Sequence, residues 1–167
     1  MTAARHARKR HVIGAVLSLI LGTALAGSHL GTLRATTTER VVVDRHTGLA
    51  LYGVDPVAYF TDRKPVPGRA EFEYRYDGAI WRFHNEGNRA AFAADPNVYM
   101  PRYGGYDPVG ISRGHATPGF PALWALHEQR LYLFYTADAR AAFLADPATV
   151  IAAASARWTA VRSELAE

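Results

Sequence analysis

The sequence is 167 residues long, 49% hydrophobic and 20% charged, with 19 basic against 15 acidic residues, a formal net charge of +4 and no cysteine. That length suits one core rather than two independent domains, and without thiols neither a disulfide framework nor a thiolate metal site can form. All the excess positive charge sits near the start. Beyond residue 26 the counts are 15 and 15, which leaves no electrostatic case for nucleic acid or an anionic membrane as partner.

Residues 1–26 have the pattern of a secretory signal. Arg5, Arg8, Lys9 and Arg10 precede an apolar run from Val12 to Leu21, and Ala24-Leu25-Ala26 supplies small residues for cleavage after Ala26. A periplasmic or secreted product is expected. Even taken from Val12 to Ala26 the run is shorter than the ~20 residues a spanning helix needs and is interrupted by Ser18 and Thr23, which favours removal over the alternative of a retained inner-membrane anchor. Lys9-Arg10 is not an Arg-Arg pair, which favours Sec-type over twin-arginine export. Residues 27–46 lack periodicity and read as a flexible lead-in to a domain over 47–167.

That domain reads as two versions of one unit. FHNEGNRAAFAADP from Phe83 and FYTADARAAFLADP from Phe134 match at an offset of 51, as do Pro67-Gly68 and Pro118-Gly119; one residue of slip aligns GVDPVAY from Gly53 with GYDPVGI from Gly105. The units cover 52–100 and 104–151. Two are too few for a solenoid, so a single pseudo-symmetric domain is expected.

In the first unit Phe72, Tyr74 and Tyr76 alternate with charged residues up to Asp77-Gly78, a type I′ signal, and Ala79, Trp81 and Phe83 alternate back. This predicts a hairpin pairing Tyr76 with Ala79, Tyr74 with Trp81 and Phe72 with Phe83. Its aromatic face should be core, and Glu73 should oppose Arg82 on the other. The second hairpin pairs Leu123 to His127 with Arg130 to Phe134 across Glu128-Gln129. A short helix follows each, capped by Asn85 or Thr136. Each Asp-Pro (Asp55, Asp95, Asp107, Asp146) reads as a cap before a helical turn with proline at its first position. A last helix from Pro147 to about Leu165 carries Val150, Ile151, Trp158, Val161 and Leu165 on one stripe to cover the sheet. The fold class is α+β: two pseudo-symmetric units, each a β-hairpin plus short helices, with their aromatic faces in a shared interior and a longer C-terminal helix.

The order of these pieces resembles the YHS domain family. Asp55-Pro56-Val57, Tyr76-Asp77-Gly78, Trp81-Arg82-Phe83, Arg89-Ala90-Ala91-Phe92 and Ala94-Asp95-Pro96-Asn97-Val98-Tyr99 carry the likeness, and Tyr103-Gly104-Gly105-Tyr106 extends it toward the longer exported form. The resemblance implies metal binding through cysteines after the Asp-Pro-Val start and around the Phe before the short helix. Here those positions hold Ala58, His84 and Asn88, and in the second unit Gly110, Tyr135 and Ala139. With Met100 as the one methionine past residue 26, a soft Cu(I) site is excluded.

His29, His46, His84, His115 and His127 remain as nitrogen ligands, and no pair has helix-face spacing. His84 with His115, Asp55 and Asp107 forms the candidate open site for Cu(II) or Zn(II). His127 and His46 read as solvated. Tyr59, Tyr103 and Tyr106 are candidates to line a cleft for a small ligand where the units meet. Gly110-Ile111-Ser112-Arg113-Gly114 matches G-x-S-x-G, but the glycines and prolines after Ser112 deny it the strand-turn-helix context of a nucleophile elbow. No catalytic residue is assigned. The expected function is a non-catalytic binding module for a metal ion or small molecule at the seam between the units; the alternative is a structural or protein-interaction domain that has lost its family metal site, with the protein partner unknown.

Overall fold

A computed structural model describes residues 40–165. The signal segment, His29 and most of the 27–46 lead-in lie outside the described residues.

Each hairpin forms where alternation and turn chemistry coincide. β1 (Arg69–Tyr76) pairs antiparallel with β2 (Ala79–Phe83), and Asp77 and Gly78 both take the positive φ that a type I′ turn demands (47° and 78°). Tyr76 opposes Ala79, Tyr74 opposes Trp81, and Glu73 opposes Arg82, with Arg82 Nε donating to Glu73 Oε1 at 2.8 Å. The expected pair Phe72 and Phe83 does not form. Between Arg69 and Glu73 the register shifts, and Phe83 faces Arg69 instead. The backbone before β1 runs close against β2 here, where a Cβ on Gly68 would lie 2.5 Å from that of Arg82. Phe72 still reaches the core from the bulge.

β3 (Phe120–His127) and β4 (Arg130–Phe134) repeat this geometry, including the bulge, which falls between Phe120 and Trp124. Gly119 is pressed in the same way: a Cβ there would lie 2.6 Å from the Leu133 Cβ. That close approach is the physical reason for the glycine before both hairpins.

Short helices flank the hairpins: α1 (Ala58–Thr61), α2 (Glu86–Ala94), α3 (Pro96–Tyr99), α4 (Pro108–Ser112) and α5 (Ala137–Ala145), with α6 (Pro147–Glu164) last. Asn85 Oδ1 accepts from Asn88 N, and Thr136 Oγ1 from Ala139 N, so both expected caps form. Asp146 caps α6 through Thr149 N. Asp95 caps nothing with its side chain, because its backbone carbonyl takes the Val98 N–H at 3.2 Å instead.

The aromatic faces are buried as expected, with Trp81 and Phe83 wholly inaccessible, but not in one shared interior. Two adjoining cores form, each built round a phenylalanine. Phe92 touches the rings of Tyr74, Tyr76, Trp81 and Phe83; Phe143 touches Tyr132 and Phe134. β4 divides them, because its period-2 alternation sends Leu131 and Leu133 to the first core and Tyr132 and Phe134 to the second. Val41 and Val42 are split likewise. This described end of the segment read as a flexible lead-in is therefore packed, and Val42 N donates to the Gly104 carbonyl at 2.8 Å. The apolar stripe of α6 joins the second core; α6 lies chiefly along α4 rather than over the sheet.

Candidate functional site

The positions that the YHS resemblance assigns to ligands gather around one side chain, the buried carboxylate of Asp55. Its Oδ1 accepts Val57 N at 2.8 Å and Ala58 N at 3.4 Å; its Oδ2 accepts His84 N at 2.8 Å and the Asn88 amide at 2.7 Å. Ala58, His84 and Asn88 thus converge, yet what they present to Asp55 is three N–H donors, and Val57 adds a fourth. A carboxylate with both oxygens doubly occupied has no lone pair to spare for a cation.

Asp107 is placed alike in the second unit. It accepts Val109 N at 2.8 Å, Gly110 N at 3.4 Å and Tyr135 N at 3.0 Å. No second donor reaches its Oδ2 from the position matching Asn88, because that residue is Ala139. Both aspartates tie a strand end to a helix start across 28 or 29 residues of chain.

The four candidate metal ligands are not brought into one site. Asp55 and Asp107 are buried in separate hydrogen-bond sets, His84 is half-buried beside Asp55, and His115 is exposed after α4. Among the described residues no group of three or more histidine, aspartate or glutamate side chains is arranged to hold a metal ion. His46 is exposed, as read from the sequence, whereas His127 sets its ring edge-on to Phe143 at 6.0 Å.

The three tyrosines are core residues. The Tyr59 hydroxyl donates to the Pro121 carbonyl at 2.9 Å, fastening α1 to the start of the second hairpin, and burial holds that phenol protonated well above its ordinary range. The Tyr103 hydroxyl meets the Ile151 carbonyl at 3.2 Å and Ser155 Oγ at 2.9 Å. Tyr59 belongs to the first core, Tyr103 and Tyr106 to the second. They do not converge on a cleft, and Tyr59 and Tyr103 spend their hydroxyls inside the protein.

Open space lies beside them. A hollow of about 410 Å³ is lined by Asn97, Met100, Pro101, Arg102, Tyr103, Arg130 and Trp158, so its walls come from the end of the first unit, the link, the second hairpin and α6. A second, of about 270 Å³, lies between residues 42–46, Tyr52, Tyr106 and Pro118. Sequence reading pointed to the link through its tyrosines and missed Arg102, Arg130 and Trp158. The available signal was the arginine directly before Tyr103-Gly104-Gly105-Tyr106.

The family model of the YHS domain matches residues 57–103. The chain carries a YHS domain. The matched stretch runs from the Asp55 carboxylate's first partner, through the first hairpin and α2, to the link. No curated protein and no solved structure matches the chain. Among the described residues no helix is long and apolar enough to cross a membrane.

Proposed function

We propose that this YHS protein is a non-catalytic binding module, made of two copies of one unit and exported after loss of its first 26 residues, that takes a small molecule in the hollow at the link between the units. One observation carries the reading: a concavity of about 410 Å³ with walls from both units and from α6, within the size range of small-molecule sites. The Asp55 pocket supports no competing metal reading, since both its oxygens are taken up by the chain, and around Asp107 no group of three or more ligating side chains gathers among the described residues.

The test is a fragment screen on the protein lacking residues 1–26, followed by amide NMR, beside calorimetric titrations with Zn(II) and Cu(II). Shifts clustered at Asn97, Arg102, Arg130 and Trp158, with no stoichiometric metal heat, are expected. A tight one-to-one metal site abolished by His84→Ala would replace this reading with the metal-binding one.

A further inference from the structure

The hollow at the link has a chemical character of its own. Arg102 and Arg130 line its wall together with Trp158 and Tyr103. Among the described residues neither arginine has a carboxylate partner, unlike Arg82 with Glu73 and Arg89 with Glu86. Glu128, two residues from Arg130, faces the His127 ring at 3.8 Å.

Both arginines are nevertheless positioned. Arg130 Nη1 donates to the Asn97 carbonyl at 2.8 Å, across from the second hairpin to α3. The Arg102 guanidinium lies 5.6 Å from the centre of the Tyr103 ring. Each keeps N–H donors unspent, since a guanidinium carries five in a planar fork. An adjoining hollow of about 230 Å³ shares Trp158 and adds Arg40 and Arg162. Trp158 thus lines two hollows, each with two arginines, in a chain whose charges balance beyond residue 26.

Resting on the binding-module reading above, we infer that the ligand is a small organic anion, a carboxylate or phosphate group on an aromatic body, with its charged end on Arg102 and Arg130 and its ring against Trp158. The fork geometry of two arginines suits planar or tetrahedral oxyanions, and a concave wall suits a discrete molecule better than a flat bilayer.

Phenyl phosphate, benzoate, inorganic phosphate and neutral benzyl alcohol are the probes, read by amide NMR on the chain lacking residues 1–26, with vesicles of anionic lipid as a further arm. Phenyl phosphate or benzoate is expected to shift Asn97, Arg102, Arg130 and the Trp158 indole, and to weaken about tenfold or more in Arg102→Ala and in Arg130→Ala. Arg102→Lys, which keeps the charge, should lose less. Inorganic phosphate should bind more weakly, and added salt should weaken every anion.

Benzyl alcohol binding as well as the anions, with both alanine variants unaffected, would overturn the anion class and leave the link hollow standing as a binding site. Inorganic phosphate matching phenyl phosphate would overturn the aromatic body. Binding to vesicles alone would replace the small molecule with a membrane surface. No shift by any probe up to about 10 mM, the range expected of weak fragments, would overturn this inference and the hollow together.

Discussion

The two aspartate pockets share a backbone design and differ in one side chain. In each, Oδ1 takes two N–H groups of the next helix start at 2.8 and 3.4 Å, and Oδ2 takes the N–H that follows the hairpin. Only the first has Asn88, whose amide completes the set at 2.7 Å; the second has Ala139. The shared part is architecture, because a buried acceptor that gathers N–H groups from a strand end and a helix start locks one to the other. The variable part lies at a position that the family resemblance gives to a metal ligand. In the first unit of this chain that position is part of the lock.

Removing the acceptors should separate the two pockets most widely. Asp55→Ala strands four donors in a buried site and should cost about 3–5 kcal/mol; Asp107→Ala strands three and should cost less. Urea unfolding of both variants measures the difference. Equal costs would mean that the Asn88 bond adds nothing.

The next test moves the differing side chain. Asn88→Ala should cost about 1–2 kcal/mol through loss of one bond to a buried carboxylate. Ala139→Asn offers Asp107 the amide it lacks and should recover up to about 1 kcal/mol. Chemical denaturation of the two single variants and the double variant would show whether the sites are independent, as pockets in different units should be.

Why one part of this was legible in the chain and another was not follows from range. Hairpins, turns and the Asn85 and Thr136 caps depend on residues within a few positions of one another, and period-2 alternation with Asp77-Gly78 specifies them. The Asp-Pro motifs marked helix starts, yet the bonds from Asp55 to His84 and Asn88 span 29 and 33 residues, and no local pattern announces them. The division into two cores was hidden for a related reason. Leu131 and Leu133 alternate with Tyr132 and Phe134 in a strand apolar on both faces, and an unbroken apolar run does not say which face meets which partner. Val41 and Val42 sit in a stretch too short to show a period. The link hollow depends on Arg102, Arg130 and Trp158 meeting from three elements.

Each unit also buries a phenol, and the two differ in depth. Burial raises the pKa of Tyr59 strongly, with a smaller push from the Asp55 charge, and raises that of Tyr132 less. The folded state therefore keeps a proton that the unfolded chain releases near the ordinary value of 10.0. Below that pH the stabilisation is complete; as pH climbs from 10.0 toward the raised folded value, it is progressively lost. Tyr59→Phe should cost about 1 kcal/mol at neutral pH through the bond to Pro121, and should flatten the fall in stability above pH 10. Tyr132→Phe should flatten it less. Thermal melts across alkaline pH separate the two, and an unchanged slope in Tyr59→Phe would rule out that phenol as the alkaline trigger.

The smallest expected effect lies at the hairpin tips, which share one backbone shape built from different residues. Asp77 and Gly78 have φ of 47° and 78°; Glu128 and Gln129 have 49° and 55°. An L side chain held at positive φ costs about 1 kcal/mol that glycine avoids, so the second turn carries strain that the first relieves at Gly78. Gln129→Gly removes that strain but loosens the unfolded chain, which takes back part of the gain. The net should be a stabilisation of about 0.5 kcal/mol, a rise of roughly 1–3 °C in Tm for a domain of this size. Gly78→Ala should go the other way by about 1 kcal/mol, since it creates in the first turn the strain present in the second. A fall in Tm for Gln129→Gly would mean that the register of the second hairpin is set by the alternation of β3 and β4, and that its turn conforms without storing strain.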